Sequence, residues 1–192
     1  MIIHFSEEWN QSFDPNSLEQ YKNAALTGNP WAMIKYADMA SKDKDNLVLQ
    51  NEAAIYYKKA ADQNNIIAMY LYATFIRHNS SIPNNQIEAF TYYKKAIDHG
   101  DVFSLIRFGS MNYNGEGVRV NKDLALTNFQ QFKLLMEENY IDRWQQSLPD
   151  GSTVPKEYND ILYNYINEAK SFYPEALYYI GICYEYGYGT QI

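Results

Sequence analysis

One seven-residue segment occurs twice in this chain with a single difference, and it limits the possible folds more than any other feature. Residues 56–62 read Tyr-Tyr-Lys-Lys-Ala-Ala-Asp, and residues 92–98, which lie 36 positions later, read Tyr-Tyr-Lys-Lys-Ala-Ile-Asp. The preceding Glu-Ala pairs at positions 52–53 and 88–89 have the same spacing. A fixed period of about 20–50 residues is typical of stacked supersecondary units. The sequence therefore predicts a repeat protein.

Each period contains two predicted helices, which we name A and B. Helix B carries small and aromatic residues at helical spacing on one face, namely Ala53, Tyr56, Tyr57, Ala60 and Ala61. Helix A begins at residues that recur in phase, namely Ala32, Ala68, Ser104 and Ala176. These patterns predict an all-α fold, a right-handed α-solenoid of roughly ten helices in antiparallel pairs with a 36-residue repeat. Gly109 and Gly181 fall inside helix A, where we expect the paired helix B to approach closely.

Glycine pairs mark the loop between helices A and B. Gly115 and Gly117 return one residue apart as Gly187 and Gly189. Glycine adopts positive φ without a steric penalty, so such a pair reverses the chain after a helix. A phosphate-binding loop would follow a strand and continue into Lys-Ser or Lys-Thr, which this segment does not do.

The combined pattern resembles the Sel-one-like repeat, a relative of the tetratricopeptide repeat. The resemblance covers about residues 17–192 and is most specific at residues 108–125 and 176–189. It implies a scaffold or assembly role within a larger complex, often in bacterial signalling or host interaction. A few cysteine-rich relatives have been linked to β-lactam hydrolysis, and these rely on paired cysteines.

The chain is predicted to divide into a lead-in (1–16), regular repeats (17–139), a divergent repeat (140–173) and a partial last repeat (174–192). In the divergent part we predict helix A at about 139–147, a proline-rich loop at 148–155 and helix B at about 156–172. Gly151 falls one period after Gly115, which supports a repeat; the alternative is an insertion that preserves the phase. Because a solenoid end needs a polar cap, we expect further chain or a partner to cover the last helix A.

Charge and composition exclude several classes of function. The net charge is −7, which disfavours nucleic acid, whose binding requires a basic stripe, and anionic membrane surfaces. It permits a basic protein partner. The sequence shows no signal-peptide pattern and no apolar run long enough to span a membrane. We expect a cytoplasmic chain that is a monomer or a weak oligomer.

Reactive side chains are sparse. A single cysteine, Cys183, excludes an intrachain disulfide; its equivalents in the other repeats are apolar, so we expect a buried, slowly reacting thiol. The three histidines, His4, His78 and His99, lack metal-ligand spacing. We therefore predict no catalytic, metal or cofactor site.

The remaining candidate is a protein-binding surface. In stacked helical pairs the A helices generally line the concave side, and the face opposite the A–B contact carries tyrosine, arginine and apolar residues. The predicted contact residues are Lys35, Asp38, Tyr70, Leu71, Thr74, Ile106, Arg107, Ser110, Tyr178, Tyr179 and Ile182. Tyr70, Arg107 and Tyr178 are the expected anchors, and their removal is expected to leave folding nearly unchanged. The alternative binding surfaces are the divergent unit at 140–173 and the uncapped C-terminal end.

Three hypotheses of function follow. The first is a helical-repeat adaptor or scaffold that binds a protein partner on the concave helix-A face. The second is an immunity-type inhibitor that neutralises a bacterial toxin or secreted effector. The third and most remote is a hydrolase, which the missing paired cysteines and the missing Ser-x-x-Lys motif disfavour.

Overall fold

A computed structural model describes residues 17–79, 84–137, 148–149, 151 and 153–188, and this part contains helices and no strands. The prediction of an all-α solenoid is confirmed. The helices are α1 (Leu18–Leu26), α2 (Pro30–Ala40), α3 (Leu47–Ala61), α4 (Ile66–Arg77), α5 (Asn85–Asp98), α6 (Phe103–Asn114), α7 (Lys122–Glu137), a 3-10 turn (Lys156–Tyr158), α8 (Asn159–Ser171) and α9 (Tyr173–Glu185).

From α1 to α7 each helix packs on the next one along the chain, as in a solenoid. Helices α2, α4 and α6 are of type A, and α3, α5 and α7 are of type B. Alanines at the A–B contact, Ala53, Ala89 and Ala125, have no exposed surface. Tyrosine rings fill the flank edge to face at the same repeat step, with 4.8 Å between the Tyr36 and Tyr56 centroids and 4.7 Å between those of Tyr72 and Tyr92.

The A helices begin after a capping side chain that recurs every 36 residues. Asn29 accepts a hydrogen bond from the Trp31 backbone nitrogen (2.9 Å), and Asn65 accepts one from Ala68 (2.9 Å). Before α6 the equivalent residue is Asp101, whose carboxylate accepts from the backbone nitrogen of Phe103. Each such cap stabilises a helix by about 1 kcal/mol, so this spacing helps to set the register of the stack.

An ion cluster also repeats on the flank of the stack. Lys22 contacts Glu52 at 2.7 Å, and the Tyr36 hydroxyl donates to the same carboxylate. These bonds, the one from Lys22 above all, hold the pKa of Glu52 below its usual range, and burial raises the pKa of Tyr36 to about 12. One repeat later the same roles fall to Lys58, Tyr72 and Glu88.

The helix that follows α7 in the stack is α9. The ring of Tyr179 stacks on Phe129 of α7 with centroids 4.8 Å apart, and Gln130 donates to the Tyr184 hydroxyl at 2.6 Å. No described helix lies between α7 and α9 in the stack, which favours an insertion at 140–173 over a divergent stacked repeat. Predicted helix B appears as the 3-10 turn and α8, whereas residues 138–147, which carry predicted helix A, lie outside the described residues.

The helical glycines behave differently from one another. A Cβ atom at Gly109 would lie 2.6 Å from Cε1 of Phe129, so the expected close approach is present, made by a ring of α7. At Gly181 nothing lies within 4 Å, and the expectation there stays a prediction because the paired helix B would follow the described residues. The loop glycines Gly115 and Gly117 have φ values of 76° and 68°, as predicted.

Candidate protein-binding groove

The predicted contact residues divide into three groups in the structure. Lys35, Asp38, Leu71, Thr74 and Arg107 are half-buried. Tyr70, Ile106 and Ser110 are buried, and the first two are only 1 % and 0 % exposed. On α9, Tyr178 is 64 % exposed, whereas Tyr179 and Ile182 are half-buried. The expectation that Tyr70 and Ile106 present surface to a partner is therefore wrong.

Helix α8 contributes to the burial of Tyr70. It lies against the face of α2, α4 and α6 that was expected to be open. The Tyr165 ring meets the Tyr70 ring of α4 at 5.1 Å and the Phe103 ring of α6 at 4.7 Å, edge to face in both cases. Asp160 pairs with Lys35 of α2. One helix of the insertion thus contacts three consecutive repeats.

We call this surface the groove and define it by Lys35, Tyr70, Asp101, Phe103 and Arg107. Four of them lie on the three A helices, and Asp101 lies two residues before the third of these helices. Because Lys35, Tyr70 and Arg107 lie at successive repeat steps, stacking brings them into one row, with Asp101 and Phe103 in the same repeat as Arg107.

Asp101 is the polar centre of the groove. Its buried carboxylate accepts four hydrogen bonds, from the Phe103 and Ser104 backbone nitrogens at 3.1 Å and 2.9 Å, from the Ser104 hydroxyl and from the Tyr165 hydroxyl. Burial raises the pKa of Asp101, and the hydrogen bonds oppose that rise. Asn29 and Asn65 at the equivalent positions have one side-chain oxygen each. A carboxylate is what allows this position to cap α6 and hold Tyr165 at once.

The remaining contacts across the groove join Arg107 and Tyr70 to acidic or aromatic side chains. The Arg107 guanidinium lies 3.9 Å from the Phe172 ring centroid and 3.7 Å from a carboxylate oxygen of Glu175. The Tyr70 hydroxyl donates to Glu168 at 3.2 Å. The groove is therefore basic and aromatic where α8 and its neighbours are acidic and aromatic.

Nothing in the described part of the chain points to reaction chemistry. No group of three or more His, Cys, Asp and Glu side chains there is arranged to hold a metal ion. The His99 ring meets the Lys95 carbonyl at 2.8 Å, at the end of α5, and His4 lies outside the described residues. Among the described helices none is long and apolar enough to cross a membrane.

Cys183 is fully buried in α9, as predicted, and burial raises the pKa of its thiol. Because the thiolate is the reactive form, we expect a thiol reagent to label the native protein at least about 100-fold more slowly than the same protein in denaturant. Labelling followed by mass spectrometry measures both rates. Fast stoichiometric labelling of the native chain would show that α9 opens readily.

The stacked A–B pairs define a helical-repeat protein. The Sel1 repeat family model matches residues 32–65, 66–101, 103–132 and 174–191, which is more than half of the chain, so the chain belongs to the Sel1 repeat family. Proteins of this family are helical-repeat modules for protein interaction. The model passes over the stretch that contains α8, in agreement with an insertion.

Two solved structures are similar in fold. One is c5321, a protective antigen of uropathogenic Escherichia coli strains with an SLR fold, at 21% identity and a TM-score of 0.57, covering 91% of this chain and 37% of that one. The other is a Sel1 repeat protein from Oxalobacter formigenes, at 21% identity and a TM-score of 0.52, covering 79% and 63%. The chain thus spans less than two thirds of either. No curated protein matches the sequence.

Sequence reasoning missed the groove residues Asp101 and Phe103 and the α8 residues Asp160 and Tyr165. For Asp101 a signal existed, since it lies 36 residues after Asn65 and 72 after Asn29, and so carries a carboxylate where the two preceding repeats have an amide. For α8 there was none, because an inserted helix carries no repeat from which its packing partner can be deduced.

Proposed function

We propose that this chain is a non-enzymatic adaptor that binds another protein through the groove. The observation that supports this most strongly is that the groove already engages a helix, through aromatic rings, a buried carboxylate and the cation of Lys35, with contacts on three consecutive repeats. A surface that holds one helix by such contacts suits the helix of a partner. Family membership points to the same class of function.

The charge of the groove refines the expected partner. The net charge of −7 suggested a basic one. Lys35 and Arg107 are instead each paired with a carboxylate. At this surface an acidic segment is therefore the better complement, and the excess negative charge of the chain lies elsewhere.

The test is affinity capture from the source cell with the full chain and with a double variant, Lys35→Glu and Arg107→Glu. We expect the captured partner to decrease at least about tenfold, because both charge pairs become repulsive. The matched control is Lys44→Glu with Arg119→Glu, which makes the same charge change at two exposed loop positions. Equal capture by both double variants would exclude the groove as the binding surface.

A further inference from the structure

Helix α8 occupies the surface that the proposed function assigns to a partner. We infer that the groove is a receptor for an acidic helix with one inward tyrosine, and that α8 is a built-in occupant that a partner helix of the same chemistry replaces. This inference rests on the proposed function, which it deepens by naming the chemistry of the partner and the way in which access is controlled.

The stack does not depend on α8. Helix α9 packs directly on α7, where Phe129 and Tyr179 stack, Gln130 donates to Tyr184, and the Tyr173 hydroxyl donates to Glu137 at 2.7 Å. At the outer end Lys122 donates to the Tyr188 hydroxyl at 3.1 Å. Departure of α8 therefore leaves every contact between consecutive stacked helices in place.

The contacts of α8 define what a replacement helix must offer. Tyr165 supplies the ring that lies between Tyr70 and Phe103 and the hydroxyl that donates to Asp101. Asp160 and Glu168 supply the carboxylates for Lys35 and Tyr70. The pattern to be matched is an acidic residue, a tyrosine five positions later and a second acidic residue three positions after that.

Replacement follows from ordinary competition. A helix joined to its own binding site by a short linker acts at an effective concentration of about a millimolar. A free helix of the same sequence therefore binds the parent chain poorly, because only the small fraction with an open groove is competent. Weakening α8 on its own side, with the groove untouched, raises that fraction and with it the apparent affinity.

The experiment uses a fluorescent peptide with the sequence of residues 156–172, titrated by anisotropy into two full-length proteins. One is the parent, and the other carries Asp160→Lys and Tyr165→Ala, which remove the α8 contacts to Lys35, Asp101 and the two rings. We expect the peptide to bind the double variant at least tenfold more tightly than the parent. A peptide with Tyr165→Ala serves as the matched control and should lose this gain.

A charge exchange shows where the peptide binds. Adding Lys35→Glu to a protein with Asp160→Ala and Tyr165→Ala, whose own α8 cannot pair with the new carboxylate, should abolish the gain, and a peptide with Asp160→Lys should restore it. Circular dichroism of the double variant should show a cooperative melt with no helix lost beyond α8. If the rest of the solenoid unfolds, α8 is a fixed part of the core and the inference is wrong.

Equal binding of the peptide to the parent and to the folded double variant would also overturn the inference. The proposed function is tested independently, by the affinity capture with the Lys35→Glu and Arg107→Glu double variant. A groove-dependent partner without peptide binding would refute only the built-in occupant. Peptide binding with groove-independent capture would refute the adaptor surface and leave α8 replaceable.

Discussion

Replacement of Gly117 by valine is expected to lower the free energy of unfolding by about 2–4 kcal/mol. Two causes add. The φ of Gly117 is 68°, where a β-branched residue is strained. A Cβ atom there would also lie 2.5 Å from the carbonyl carbon of Gln86 at the start of α5, and backbone cannot move aside as a flexible side chain can. Urea unfolding followed by circular dichroism measures the change.

Gly28→Val is the matched control. Gly28 follows the end of α1 with φ of 91°, and nothing lies within 4 Å of the position of its Cβ atom. It reports backbone strain alone, about 1–2 kcal/mol. The excess loss at Gly117 therefore measures the contact between the α6–α7 loop and α5. Equal losses for the two variants would show that the loop moves away from Gln86 at little cost.

The stacked part of the fold could be predicted from the sequence because the same pattern recurs in several repeats, and each occurrence supports the others. A single alanine or a single glycine pair indicates little about the fold. Their recurrence at fixed repeat positions, as with alanine at 53, 89 and 125 and the glycine pairs after two of the A helices, indicates a stacked repeat. A local interaction that recurs at every step, such as the Asn29 and Asn65 caps, is predictable for the same reason.

The groove was only half readable. The sequence placed Lys35, Tyr70 and Arg107 on one face, but whether that face is exposed depends on α8, whose packing is a single long-range event. The phase of Gly151 did not identify the helix that packs on α7: its φ of 80° matches that of Gly115 in sign, yet among the described helices it is α9 that packs there. Two segments can have the same turn conformation and still pack differently, because a positive φ is a local property and stacking depends on tertiary contacts.

The effect of α8 on the helix-A face changes the expected stability of a Tyr70 variant more than that of any other variant. With an open face, Tyr70→Ala would barely affect folding. Since Tyr70 is 1 % exposed between the Tyr93 and Tyr165 rings, at 5.9 Å and 5.1 Å, its truncation leaves a cavity. We expect Tyr70→Ala to lower the free energy of unfolding by about 3–5 kcal/mol, in the range for large aromatic residues. Thermal and urea unfolding of the full chain measure it.

Two variants separate the causes. Tyr70→Phe removes only the hydroxyl that donates to Glu168 and is expected to cost about 1 kcal/mol. Tyr178→Ala makes the same truncation on α9, where the side chain is 64 % exposed, and should stay within about 0.5 kcal/mol of the parent. Tyr70→Ala and Tyr178→Ala are equivalent in the repeat and differ in what covers them. If Tyr70→Ala proves as mild as Tyr178→Ala, then α8 does not cover the groove in solution, and Tyr70 becomes available to a partner without any displacement.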